Sequence, residues 1–263
     1  MGIRNLNSFL RRSAPDAIRL GQIADLAGKR IAVDANNYIY RFAASGNVIE
    51  GVYQLVGMFQ RNGVALTFIF DGKPPEEKIA ISRHRNEDSN AVKPTKRDMT
   101  DVQALLTAAK VPWVRAQGEA EHYCAEMAKS GMADGCLTED TDVFVYGAPV
   151  TYRYLSLLKE TAVEYDWQEM RKYLGVSQTK FRHACIACGC DYCDKQVTCN
   201  LEEAMYTVSL PTTCAVERAL ELYDSGVDLQ TIPRARVPRL EDGITQIREI
   251  ARSSGLLFCD QPW

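Results

Sequence analysis

The sequence predicts an α/β protein, with a mostly parallel central sheet flanked by helices. Three observations carry the prediction. Short apolar, β-branched runs alternate with longer helical stretches along the first part of the chain. Two of these runs, RIAVD and VALTFIF, deliver an aspartate at their C-terminal end, Asp34 and Asp71. The length, 263 residues, suits one large domain or one domain with a small appendage.

The elements follow in order. The opening MGIRNLNSFLRRS is basic and lacks a sustained apolar core, so it does not read as a secretory signal, and Leu6 stands where a myristoylation site wants Ser or Thr. Residues 30–34 and 64–70 read as strands, and 36–45 and 49–62 as helices. Helices are expected over 98–110 and 119–130, then strands over 133–138, 142–146 (DVFVY) and 150–155. FRHACIACG reads as an apolar helix, 200–225 as one or two helices, and 231–240 (TIPRARVPRL) as a basic, Pro-containing linker or strap. In open parallel sheets ligands bind beyond the carboxyl ends of the strands, which puts Asp34 and Asp71 on the functional edge.

Composition excludes some classes. No apolar run approaches the roughly 18 residues needed to span a bilayer, so no membrane is expected. Nine Cys, an odd number without secretory context, point to reduced thiols and an intracellular location: the nucleus if eukaryotic, otherwise the cytoplasm. Cys185/Cys188 and Cys190/Cys193 have zinc-like spacing, yet little loop separates the pairs, so buried structural thiols are the favoured reading. The net charge is −3, but without the candidate ligands below the balance turns positive, which is compatible with a polyanionic substrate.

Seven acids carry the chemistry: Asp34, Asp71, Glu119, Glu121, Asp140, Asp142 and Asp191. Any one alone reads as a turn or helix-capping residue. Together they suit two hard divalent cations, which prefer oxygen ligands, and so phosphoryl transfer. Glu119 and Glu121 can face one site only by straddling a helix start. Asp140 and Asp142 are expected on extended backbone, where i and i+2 point the same way. Asp191 follows Gly189 in an expected turn. Between Asp71 and Lys96 a mixed-charge helix carries Lys78 and Arg85, seven apart and so on one face, able to hold a phosphate, with a mobile loop expected at NEDSN. The alternative is a solvated charged helix.

MGIRNLNSFL, IAVDANNYIYRF, FIFDGKPPEEK, VKPTK, GEAEHYCAEMAKSG, TEDTDVFVYG and CIACGCDYC resemble, in that order, the blocks of the flap endonuclease/XPG family of structure-specific 5′ nucleases. The resemblance covers roughly residues 1–195. It implies a PIN-like nuclease core over 1–195 and a C-terminal helical extension over 196–263. It also implies two Mg²⁺ ions, for which Mn²⁺ can substitute. One ion would be served mainly by Asp34, Asp71, Glu119 and Glu121, the other mainly by Asp140, Asp142 and Asp191. Lys78 and Arg85 match the family's basic pair beside the scissile phosphate, Tyr40 its base-stacking aromatic, and Gly2 a residue whose backbone lies close to the active site. The implied activity is metal-assisted hydrolysis of branched or 5′-ended DNA in replication or repair. Two departures stand out. The helical arch, about 73–98, is shortened, and after GCDYC the family's glycine-rich, duplex-gripping motif is replaced by DKQVTCNLEEAMYTVSL. No sliding-clamp motif is recognisable. The departures keep open an RNA-cleaving relative and a catalytically silent nucleic-acid-binding module.

Overall fold

The computed structural model describes residues 2–85, 92–207 and 209–237, and of 82–85 the backbone alone. Side-chain alternation sorts the central strands between two cores. In β2 (Arg30–Asp34), Ile31 and Val33 join one apolar cluster and Ala32 the other. In β3 (Ala65–Phe70), Leu66, Phe68 and Phe70 face the first cluster and Ile69 the second. Strands buried on both faces need helices on both faces. The first is covered by α2 (Ala35–Ala44), α3 (Val48–Arg61) and α5 (Lys96–Ala108).

Among the described residues the sheet has seven strands. To the two above are added β1 (Ile18–Gln22), β4 (Trp113–Arg115), β5 (Gly135–Leu137), β6 (Val150–Ser156) and β7 (Thr161–Asp166), in the order β1-β7-β6-β5-β2-β3-β4. The pairings β4–β3, β3–β2, β2–β5 and β5–β6 are parallel; β6–β7 and β7–β1 are antiparallel. This is the mostly parallel sheet with flanking helices that the sequence predicts. Its register sets Asp34 opposite Ile69, so the end of β2 and the residue after β3 share one sheet edge.

The second core lies under α1 (Leu6–Ser13), α6 (Ala120–Lys129), α7 (Asp142–Tyr146), α8 (Trp167–Leu174) and α9 (Gln178–Ala187). Two C-terminal helices, α10 (Leu201–Tyr206) and α11 (Cys214–Asp224), contribute Leu201, Ala204, Met205, Val216, Ala219 and Tyr223 to the same cluster. Cys185 and Cys190 are buried there, and burial raises both thiols above their ordinary range, Cys190 to about 12.

One expected strand is a helix. DVFVY forms α7, stopped by Gly147 at φ 87°, whose N–H donates to the Val143 and Phe144 carbonyls. All five residues are buried, so the run shows no period to separate helix from strand, and packing overrides the β preference of its valines. Of residues 73–98, where a shortened helical arch is expected, α4 (Glu76–Arg85) and the first residues of α5 are described. The loop expected at NEDSN falls outside the described residues, as do 238–240 of the expected linker. No helix among the described residues is long and apolar enough to cross a membrane.

Candidate metal centre

The site is built where strands stop and helices begin. Asp34 ends β2 and caps α2, accepting from Asn37 N at 3.2 Å through Oδ1 and from Thr138 Oγ1 at 2.8 Å through Oδ2. Asp71, just past β3, accepts from Ala120 N at 2.9 Å, so the first turn of α6 points its backbone donor and its positive dipole end at this carboxylate. Glu119 is the N-cap residue of α6 and Glu121 lies in its first turn. The helix start is straddled as the spacing requires, and both side chains turn inward with 7% and 5% exposure.

Asp140 and Asp142 repeat that arrangement, which corrects the extended backbone expected for them. Asp142 is the first residue of α7, and its N–H donates to Asp140 Oδ1 at 3.0 Å. Asp140 N in turn donates to Thr138 Oγ1 at 3.0 Å. Asp142 is fully buried; Oδ2 accepts from Tyr223 Oη at 2.7 Å, while Oδ1 has no hydrogen-bond partner among the described residues. Asp191 is buried in the bend after α9. Asp71, Glu119 and Glu121 each place a carboxylate oxygen within 4.8 Å of the other two. Among the described residues no other trio of acids closes to that spacing. Asp34, Asp140, Asp142 and Asp191 join the group through its field: Asp71 and Asp140 act on Asp34, and Asp140 and Asp191 act on Asp142.

Electrostatically the site is held against its own charge. Burial, then the charge of Asp71, pushes Asp34 up to about 7. Burial also raises Asp71, Glu119, Glu121 and Asp142 above the ordinary carboxylate range. Lys78, from α4, makes an ion pair with Glu119 and lies 3.8 Å from Glu121 and 3.4 Å from Asp191. Burial works against its charged form, but Glu121, Glu119 and Asp191 outweigh it and hold the ammonium protonated. Buried oxygens that repel one another, one of them unpartnered, are the donor set a hard divalent cation completes. The residues fit such an ion.

Of the other expected residues, Gly2 has φ 88°, and a Cβ there would run into the side chains of Asp140 and Thr141 and sit 2.9 Å from Asp142 Oδ1. Only a glycine lets the N-terminal backbone lie this close to the acids. Tyr40 stands on α2 and is 42% exposed. Arg85 ends α4, but its side chain lies outside the described residues. Sequence reasoning missed Thr138, which ties Asp34 to Asp140, and Tyr223. Thr138 opens the TEDTD block and was legible as a polar residue ending a strand; Tyr223 reaches Asp142 across 81 positions and carries no local signal.

Comparison with known proteins places this geometry. Residues 1–92 match the XPG N-terminal domain and residues 110–191 the XPG I-region. Flap endonuclease 1 of Branchiostoma floridae is 32% identical over 74% of this chain and 62% of its own length. The chain thus spans about 62% of the length of the first curated relatives it matches. The catalytic core of Rad2 in complex with DNA substrate superposes with a TM-score of 0.67 at 26% identity, covering 78% of this chain and 67% of that one. The flap endonuclease-1 of Methanococcus jannaschii shares the fold with a TM-score of 0.67 at 18% identity, over 90% of both chains.

Proposed function

Because the chain belongs to the flap endonuclease/XPG family, we propose that it is a divalent-metal-dependent 5′ nuclease that hydrolyses phosphodiester bonds in branched or 5′-ended DNA. The observation that carries the proposal is the convergence of Asp71, Glu119 and Glu121 to within 4.8 Å, with Asp34, Asp140, Asp142 and Asp191 buried around them. In this reading the acids hold two Mg²⁺ ions. When bound, these supply Lewis-acid activation of water and neutralise charge on the leaving oxygen. The protein supplies the rest. Asp34 and Asp71 are anchored by the starts of α2 and α6. Lys78, held charged by its neighbours, offers a point charge to a non-bridging phosphate oxygen. Arg85, further along α4, adds a second cation, and Tyr40 offers an exposed ring on which an unpaired base can stack. DNA as the substrate is supported by the Rad2 core, whose structure is a complex with a DNA substrate.

A second reading, an RNA-cleaving enzyme using the same chemistry, draws on the segment after Asp191, where α10 and a connecting stretch stand in place of a glycine-rich hairpin. One experiment tests both. Purified protein is incubated with labelled 5′-flap, nicked-duplex and matched RNA strands, in Mg²⁺ or chelator, beside the Asp142→Ala variant. Mg²⁺-dependent cleavage of the DNA substrates, abolished in the variant, is expected. Faster RNA cleavage would select the second reading, and no metal-dependent cleavage of any strand would refute both.

A further inference from the structure

We infer that Tyr223, on the C-terminal helix α11, is a positioning residue for the metal centre: its hydroxyl pins one oxygen of Asp142 so that the other is presented to a cation. The inference rests on the metal-dependent reading above and adds to it a residue outside both matched family segments, the later of which ends at residue 191.

Three observations carry it. First, the geometry is specific. Tyr223 Oη donates to Asp142 Oδ2 at 2.7 Å, a hydrogen bond of ordinary length between two buried groups. Second, the two oxygens of Asp142 differ. Oδ2 is held by Tyr223, while Oδ1 is buried without a hydrogen-bond partner among the described residues and lies beside the backbone of Gly2. A buried carboxylate oxygen left without a donor is costly unless a cation meets it. Third, Tyr223 is fixed. Its ring packs 4.8 Å from Tyr146 and 4.9 Å from Tyr192, and those two hydroxyls bond each other at 2.8 Å, a pairing that leaves Asp142 to Tyr223. The helix is tied at its last residue and near its middle: Asp224 pairs with Arg182 of α9, and Arg218 Nε lies 2.8 Å from Glu77, next to Lys78 on α4. One helix therefore reaches the acidic wall through Tyr223 and the base of the basic helix through Arg218. Removing a partner that orients a metal ligand typically costs about 10–100-fold in metal affinity or activity.

The test uses the full chain. Mn²⁺ binding is measured by calorimetry for wild type, Tyr223→Phe and Tyr146→Phe, with far-UV circular dichroism confirming the fold of each. Cleavage of a 5′-flap substrate is followed against Mg²⁺ concentration. Tyr223→Phe keeps the ring and removes the donor. It should weaken Mn²⁺ about tenfold and raise the Mg²⁺ needed for half-maximal rate by a similar factor, with the substrate KM unchanged. Tyr146→Phe, which removes a hydroxyl from the same cluster but none from an acid, should bind Mn²⁺ as wild type does. In an Asp142→Asn background Tyr223→Phe should add nothing, because the two act through one bond. Wild-type affinity in Tyr223→Phe, an equal loss in Tyr146→Phe, or additive losses in the double variant would each overturn the inference while leaving the nuclease reading standing. Absence of Mn²⁺ binding by wild type would instead remove that reading, and this one with it.

Discussion

At Lys78 one ammonium answers Glu119, Glu121 and Asp191. It is the counter-charge that lets these carboxylates share a buried wall, and removing it leaves them facing one another. Lys78→Met, close in length but uncharged, should lower the melting temperature in chelator and lower it less in Mg²⁺, since cations compensate the same oxygens. Cleavage should fall about 10²-fold. Equal melting shifts in both conditions would separate Lys78 from the metal centre. Asp34 has a pH signature of its own. With its folded value near 7 against an ordinary 3.8, the folded protein holds a proton that the unfolded chain has released between those values. The share of stability that Asp34 contributes in the metal-free protein should therefore fall as pH rises from about 4 to about 7 and level off above. Asp34→Asn should flatten part of that slope in denaturant titrations; a slope of opposite sign would contradict the burial described.

Among the elements, the junction of β3 with α6 does most to shape the site. Gly72 N–H donates to Gly118 O at 2.7 Å, and a Cβ on Gly72 would collide with the backbone at Ala116 and Gln117. Gly72→Ala should cost about 1–3 kcal/mol of unfolding free energy and weaken metal binding by moving Asp71 away from Glu119. Calorimetry on the folded variant would show unchanged affinity if the junction were only structural. This junction also marks what was legible beforehand. Helices α2, α3, α5 and α6 lie within two residues of their expected limits because periodicity and capping acids mark them locally. The start of α6 between Glu119 and Glu121 follows from spacing alone. DVFVY was misread because a run buried on every side has no amphipathic period. The edge strand β1, its neighbour β7 and the helix α8 went unread because they depend on pairing with distant partners: Ile18 meets Tyr165 across most of the chain.

For the whole molecule, the acids come from segments spread between residues 34 and 191 and become one site only because parallel strands end at one edge. That edge was readable from Asp34 and Asp71. The tie from α11 to Asp142 was not, since nothing in the residues around Tyr223 names a partner 81 positions away. The two C-terminal helices share the second core rather than standing apart from it, so the site and the C-terminal part should unfold together. Mn²⁺ at a hundredfold excess over its Kd should stabilise the fold by about 2.7 kcal/mol, as a single cooperative transition in thermal melts. The most direct test of the account is anomalous scattering from a crystal of the full chain soaked in Mn²⁺. The account predicts anomalous peaks within coordination distance of Asp71, Glu119 and Glu121, and beside Asp142 Oδ1; peaks confined to other surfaces, or none at these carboxylates, would contradict it.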